Sequence, residues 1–362
     1  MADIFSPWRL RGLVLANRLV RSATYEGLAE PDGTPTTDLA LVLGELAEGG
    51  VGLIVTGFMF VSPAGRALAR QTGAHIDAVV GPLARVADAV HKAGGRVAAQ
   101  LVHAGALARP ELIGTTPWGP SELRDQEGRQ LAAALSREQI YDIVDDFALA
   151  AARVQAAGFD ALQLHAAHGY LLNQFLSPRS NRREDEYGGG IEGRSRLLLE
   201  VYGAVREVVG PRFPVMVKLN SRDGVEGGLE LPEALEVARR LDAEGIDAIE
   251  VSGGTPASPR DQAPARAVEG PEQEGYFLDA ARAVKRVVSC PVITVGGWRS
   301  RERIEAALET VDAVALSRPL IRQPHLPRLW QQGRREPAAC ISCNRCFVLA
   351  RREGLGCARE QL

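Results

Sequence analysis

Residues 292–318, VITVGGWRSRERIEAALETVDAVALSR, hold one complete strand–helix–strand unit and decide the fold. The first and last parts, residues 292–295 and 313–316, are continuously apolar, which is typical of parallel strands covered on both faces. Residues 301–308 between them form a helical pattern. Because two parallel strands need a crossover connection of this kind, the stretch predicts a βαβ unit whose strands are buried.

The same alternation of apolar runs and helical patterns covers most of the chain. The eight runs are residues 19–20, 51–56, 97–102, 161–164, 215–219, 248–251, 292–295 and 313–316. Eight β/α units predict the α/β class and a closed (β/α)8 TIM barrel over residues 1–335, with every βα loop at one end and a short cysteine-rich C-terminal tail over residues 336–362. An open doubly wound sheet is the alternative, but no G-x-G-x-x-G follows the first strand.

Composition limits the function further. The chain has 362 residues, 46% of them hydrophobic, with 42 basic and 45 acidic side chains and a formal net charge of -3. A basic field for nucleic acid or anionic lipid is therefore not expected. No apolar run approaches the roughly 18 residues of a membrane span, and the first residues lack a signal-peptide pattern, so we expect a cytoplasmic protein.

The ends of the last two strands predict a phosphate site. Gly296 and Gly297 follow the seventh strand, and Ser317 and Arg318 follow the eighth. In barrels the loops after these strands often bind phosphate, because glycine lets backbone N–H groups approach an anion and arginine binds it through two N–H groups.

A turn with two histidines follows the fourth strand. Its sequence, His165-Ala-Ala-His168-Gly-Tyr170, places two imidazoles and a phenol within six residues. Imidazoles can donate hydrogen bonds to an oxygen that gains negative charge, and a tyrosine can supply a proton. A three-histidine metal site with His103 is the alternative, although the other strand ends carry hydrogen-bond donors and cations rather than the carboxylates usual in metal-binding barrels.

At these residues the sequence resembles the old yellow enzyme family, the FMN-dependent NAD(P)H:flavin oxidoreductases that include the ene-reductases. The resemblance runs from Asn17-Arg-Leu-Val20 to Arg318. Its most specific part is the histidine turn together with Asn173-Gln-Phe-Leu-Ser-Pro-Arg-Ser-Asn-Arg-Arg-Glu-Asp-Glu-Tyr187.

The resemblance implies an FMN site at the C-terminal mouth of the barrel and NAD(P)H as co-substrate. His165, His168 and Tyr170 would be the catalytic groups, with the histidines binding the carbonyl oxygen of an enone. Tyr25 and His103 would face the substrate. The FMN-binding positions would be Ser22, Ala23, Thr24, Gly57, Gln100, Lys218, Gly296, Gly297, Ser317 and Arg318.

Four of the five cysteines form a separate motif in the tail. Cys340, Cys343, Cys346 and Cys357 have the spacing C-x₂-C-x₂-C-x₁₀-C, which is typical of an iron–sulfur site, whereas structural zinc prefers two separated pairs. The motif resembles the tail that holds a [4Fe–4S] cluster in trimethylamine dehydrogenase and 2,4-dienoyl-CoA reductase. Zinc and free thiols are the alternatives. A cluster here would lack an electron partner within this sequence, so we expect it either to work with a separate electron-transfer protein or to be structural.

The sequence therefore predicts an FMN enzyme that takes hydride from NAD(P)H and reduces the activated C=C bond of an enone-type small molecule by a ping-pong mechanism. A homo-oligomer is compatible with this function. An iron–sulfur flavoprotein of the dienoyl-CoA reductase or amine dehydrogenase type is the second hypothesis. An aldolase with Lys218 as Schiff-base nucleophile is the third.

Overall fold

A closed barrel of eight parallel strands forms the centre of the computed structural model, which describes residues 3–359. Residues 1–2 of the predicted barrel segment and residues 360–362 of the predicted tail lie outside this range. Each strand pairs with the next one along the chain, and the last closes onto the first. The strands are β1 (Leu19–Arg21), β2 (Leu53–Phe60), β3 (Val97–Val102), β4 (Ala161–Ala166), β5 (Val215–Asn220), β6 (Ala248–Ser252), β7 (Val292–Thr294) and β8 (Ala313–Leu316).

Helices follow the strands and surround the barrel. They are α1 (Thr37–Glu48), α2 (Val80–Lys92), α3 (Arg137–Ala156), α4 (Ile191–Val209), α5 (Leu231–Ala243), α6 (Leu278–Lys285), α7 (Arg301–Ala307) and α8 (Leu326–Gln331). The predicted TIM barrel is confirmed. Within the described residues, no helix has both the length and the apolar character to cross a membrane.

The barrel interior explains why the strands are mainly apolar. Small and branched side chains from all eight strands fill it, and an N-terminal hairpin of Trp8–Leu10 and Leu13–Leu15 packs against one end of this interior cluster. Such a barrel is a filled core rather than a pore, so the space for a ligand lies at its mouth.

The loop after β3 contains secondary structure of its own. Residues 103–135 contain a short helix (Pro110–Ile113) and a three-stranded sheet of Trp118–Gly119, Leu123–Arg124 and Gln130–Ala134. These strands are two to five residues long, too short to give a clear pattern in the sequence. The loop therefore forms a structured wall beside the barrel mouth.

The tail packs onto the same end of the barrel. Its helix, α9 (Arg345–Arg352), buries Leu349 and Ala350. A Cβ atom at Gly27 would lie 2.0 Å from the carbonyl oxygen of Ala350, and Gly27 has a φ of +65°. Glycine is therefore required where the loop after β1 meets this helix.

Candidate active site

A cavity of about 330 Å³ opens at the carboxyl ends of the barrel strands. The loops after β1, β4, β7 and β8 contribute to its wall, together with the loop after β6 and helix α9. The predicted site residues in its lining are Ser22, Ala23, Thr24, Tyr25, Gln100, His165, His168, Tyr170, Lys218, Gly297, Ser317 and Arg318. The structure thus brings together twelve residues that lie up to 296 positions apart in the chain.

The two histidines form one edge of this cavity. The ring of His165 at the end of β4 lies 5.1 Å from that of His168, and the two planes are nearly perpendicular. His168 has a φ of +60°, and its Nε2 lies 2.8 Å from the Ser252 hydroxyl. Burial lowers the pKa of both imidazoles well below the usual value, and the nearby Lys218 lowers it further. Both rings are therefore neutral at physiological pH and can donate a hydrogen bond without carrying charge.

Tyr170 stands beside them within a group of aromatic rings. Its ring centroid lies 4.9 Å from that of His165 and 5.3 Å from that of Phe58. Burial raises the pKa of the Tyr170 phenol to about 12, although the positive charge of Arg351 opposes this. The phenol stays protonated at neutral pH and can act as a proton donor.

A buried polar network crosses the cavity floor. Gln100 Nε2 donates to Gln163 Oε1 at 2.7 Å, and Gln163 Nε2 donates to Glu250 Oε2 at 2.9 Å. Glu250 Oε1 accepts hydrogen bonds from Lys218 Nζ at 2.9 Å and Ser22 Oγ at 2.7 Å. Burial opposes ionisation of Glu250, but the charge of Lys218 and the hydrogen bonds to it outweigh this effect and lower its pKa. Lys218 is thereby fixed as the charged partner of a carboxylate.

The predicted phosphate site lies between the ends of the last two strands. A Cβ at Gly297 would lie 2.6 Å from Val268 Cγ2, and this glycine has a φ of +74°, so no other residue fits there. Arg318 Nη1 donates to Arg266 O at 2.7 Å and to Asn344 Oδ1 at 2.6 Å. The guanidinium is thus held by the loop after β6 and by the tail.

Three predicted site residues lie outside the cavity lining. Gly57 donates its N–H to Glu26 Oε1 at 2.7 Å, and a Cβ there would meet Glu26 and Thr24. The carbonyl oxygen of Gly296 accepts the N–H of Gly275 at 2.6 Å. His103 is 1% exposed and accepts the Gly105 N–H on Nδ1 at 3.1 Å. The structure therefore does not place His103 with the other two histidines as a three-histidine site.

Comparison with known proteins agrees with this geometry. The NADH:flavin oxidoreductase / NADH oxidase family matches residues 3–336. The chain belongs to this family. It is 36% identical to an NADH oxidase of Thermoanaerobacter brockii over 94% of the chain, and 34% identical to a 4,4′-dithiodibutanoate disulfide reductase of Rhodococcus erythropolis over 95% of the chain. A solved structure of morphinone reductase with tetrahydroNAD has 31% identity and a TM-score of 0.78, covering 92% of the chain and 91% of that protein.

The family resemblance drawn from the sequence is thus confirmed, and with it FMN and NAD(P)H as the cofactor and co-substrate of the family. The chain spans 53% of the length of the Thermoanaerobacter protein and 92% of the Rhodococcus protein. Relatives of this family therefore include both chains of similar length and chains about twice as long.

The cavity suits the cofactor of the family. Gln100 Oε1 is buried and has no hydrogen-bond partner within residues 3–359, although a buried acceptor normally has one. The N3–H of an isoalloxazine ring is a donor of the required kind. Lys218 supplies positive charge for the pyrimidine edge, and Gly297 and Arg318 line the end suited to phosphate. These residues would hold FMN in the manner that family membership implies.

The four tail cysteines line one small cavity of about 20 Å³ beside Arg318. Burial raises the pKa of the Cys346 thiol to about 11, with further increases from Cys340 and Cys343. Nevertheless, within residues 3–359 no three histidine, cysteine or acidic side chains are close enough together to hold a metal ion.

Sequence reasoning missed several residues of the site, four of which matter most to its chemistry. Gln163 and Glu250 are polar residues inside apolar strand segments, and this interruption of the pattern was a usable signal. Phe347 and Arg351 line the cavity from helix α9. Nothing in the local sequence indicated that the tail would reach the barrel mouth.

Proposed function

We propose that this chain reduces the activated C=C bond of α,β-unsaturated carbonyl compounds with NAD(P)H, using FMN and a ping-pong mechanism. The observation that carries the proposal is the placement of two neutral imidazoles and a protonated phenol in the same cavity as Gln100, Lys218 and Arg318. A carbonyl-activating pair and a flavin-binding set therefore share one space.

FMN, when bound, supplies two-electron redox chemistry between NAD(P)H and the acceptor. The protein activates the acceptor. His165 and His168 donate hydrogen bonds to the carbonyl oxygen, which polarises the conjugated double bond and favours hydride addition at the β-carbon. Because both imidazoles are neutral, their hydrogen bonds to the carbonyl oxygen add no positive charge to the cavity.

Tyr170 completes the addition. Its phenol is protonated and lies against the ring of His165, so we assign to it the transfer of a proton to the α-carbon. The phenolate that remains recovers a proton from solvent. Hydride at the β-carbon and a proton at the α-carbon together account for the two hydrogens of the saturated product.

The single cavity supports the ping-pong order. The hydride donor and the acceptor are both planar groups that must reach the same face of the cofactor, and a space of about 330 Å³ that also holds part of the cofactor favours one of them at a time. The donor therefore leaves before the acceptor enters.

The test is steady-state turnover of 2-cyclohexenone by FMN-loaded protein at several NADPH and NADH concentrations. We expect cyclohexanone as product and parallel double-reciprocal lines. Intersecting lines would contradict the ping-pong order, and the absence of cyclohexanone with every donor would contradict the function itself.

An aldolase is not supported by the site. A Schiff-base nucleophile must be a neutral amine, whereas Lys218 Nζ forms an ion pair with Glu250 at 2.9 Å and is 4% exposed. Family membership is also that of an oxidoreductase.

An iron–sulfur flavoprotein is the second candidate, favoured by the four cysteines that line one cavity next to Arg318. Iron and zinc analysis of anaerobically purified protein tests it. About four irons per chain would support a [4Fe–4S] cluster, about one zinc would support a structural site, and neither metal would leave free thiols. Assembly into a homo-oligomer and a separate electron-transfer protein remain predictions attached to these two candidates.

A further inference from the structure

Helix α9 forms part of the wall of the active-site cavity, and it does so with one aromatic and one cationic side chain. Phe347 and Arg351 occupy positions four residues apart, which share a helix face. The buried Leu349 and Ala350 and the close contact of Ala350 with Gly27 hold this helix in place. The tail is thus a fixed part of the substrate space.

The charged side chains that line the cavity are all cationic. No aspartate or glutamate lines it, whereas Lys218, Arg318 and Arg351 do. Lys218 is paired with Glu250, and Arg318 is held by Arg266 and Asn344. Within residues 3–359, Arg351 forms neither an ion pair nor a side-chain hydrogen bond. Its guanidinium N–H groups are therefore free to bind a ligand.

Arg351 also lies at the substrate end of the cavity. It lines the same cavity as Tyr170 and Tyr25. Its charge lowers the pKa of both phenols, although burial raises each pKa more strongly. Gln100 and Lys218, by contrast, belong to the floor that suits the flavin.

From this arrangement we infer that Arg351 is a specificity-determining residue that binds a carboxylate on the acceptor, so that the enzyme prefers unsaturated carbonyl compounds that carry an acid group. The inference rests on the proposed function and names its substrate class. A guanidinium binds a carboxylate through two parallel N–H groups, while Phe347, Phe58 and Tyr25 offer apolar and aromatic surface to the rest of the molecule.

The hydride donor NADPH also carries negative charge that a guanidinium could bind. NADPH carries a 2′-phosphate, but two riboses and a pyrophosphate separate it from the nicotinamide ring that must reach the reaction centre. Arg351 lines the same cavity as the phenols of that centre, Tyr170 and Tyr25. A short acidic acceptor therefore fits its position better than the distant phosphate does.

The test compares trans-4-oxo-2-pentenoic acid with its methyl ester in FMN-loaded wild-type, Arg351→Gln and Arg352→Gln proteins. Arg352 is the matched control, because it follows Arg351 on the same helix and is exposed as Arg351 is, but does not line the cavity. Acid and ester differ in intrinsic reactivity, so the readout is the change in the acid-to-ester ratio of kcat/KM. We expect Arg351→Gln to lower this ratio about tenfold, mostly through KM for the acid. Arg352→Gln should leave it unchanged, and Arg351→Lys should restore part of it.

Gly27→Ala provides an independent route, since it displaces helix α9 without altering Arg351. It should lower the same ratio. The inference is overturned if Arg351→Gln leaves the ratio unchanged, or if it raises only KM for NADPH relative to NADH. If wild-type protein reduces neither probe, the proposed function itself fails, and this result is distinct from a ratio that does not change.

Discussion

Individual side chains in this barrel owe their chemistry to burial. His165 and His168 stand on a turn whose backbone adopts a left-handed conformation at His168, and both imidazoles are held neutral. The sequence predicted these two residues and Tyr170 as a group, because three reactive side chains within six positions at a strand end are conspicuous. It did not predict Gln163 or Glu250: each interrupts an apolar strand segment, but a strand pattern does not show that the two side chains meet across the barrel.

The first prediction concerns the histidine pair. The double substitution His165→Ala with His168→Ala should reduce kcat/KM for 2-cyclohexenone by at least about a hundredfold, because the carbonyl loses both donors. FMN affinity, measured by quenching of flavin fluorescence, should stay within about threefold of wild type, since the phosphate end and the cavity floor are untouched. Unchanged enone reduction with intact FMN binding would refute the role of the pair.

The second prediction uses a histidine outside the cavity lining. Burial lowers the pKa of His103 to about 4, whereas the unfolded chain has the ordinary value near 6.5. Between these values the unfolded state binds a proton that the folded state excludes, so stability is full above about pH 6.5 and is lost as the pH falls toward 4. From pH 7 to pH 5 this group should remove about 2 kcal/mol from the free energy of unfolding.

Urea unfolding at several pH values, with FMN at saturation, measures this effect. His103→Asn should flatten the fall in stability between pH 7 and pH 5, whatever its effect on stability at pH 7. His325→Asn is the control, because the His325 side chain is 45% exposed, and it should keep the wild-type slope. An equal slope in wild-type and His103→Asn proteins would contradict the prediction.

Secondary-structure elements were predictable to different degrees. The eight strands followed from apolar runs, which are local signals. Helix α7 spans Arg301–Ala307, although the pattern indicated residues 301–308, because pattern alone does not fix helix ends. The position of α9 depends on a contact between residues more than three hundred positions apart, and no local signal encodes such a contact.

The third prediction concerns the cap of α3. Ser136 Oγ accepts the Gln139 N–H at 3.2 Å, and the Gln139 side chain accepts the Ser136 N–H at 2.9 Å. Ser136→Ala should lower the free energy of unfolding by about 1 kcal/mol, as measured by urea denaturation, because one helix N–H loses its partner. Ser136→Thr retains the acceptor oxygen and should recover most of this loss. Equal stability of the alanine and wild-type proteins would show that the cap contributes nothing.

The whole molecule is a filled barrel with its ligand space at one end, where the loops of several strands and the tail meet. Barrel closure brings residues from Ser22 to Arg318 into a single wall, and this convergence could be predicted because all βα loops of a barrel lie on one side. The contribution of the tail to this wall could not be predicted from the sequence. The central claim is that this wall holds FMN and lets NAD(P)H and an unsaturated carbonyl compound react in turn.

The most direct test is an anaerobic absorption titration of FMN-loaded protein, first with NADPH or NADH and then with 2-cyclohexenone. The account predicts that one equivalent of the donor bleaches the flavin band, and that one equivalent of the enone restores it with formation of cyclohexanone. A band that neither donor bleaches would contradict the account. So would a bleached band that the enone leaves unchanged.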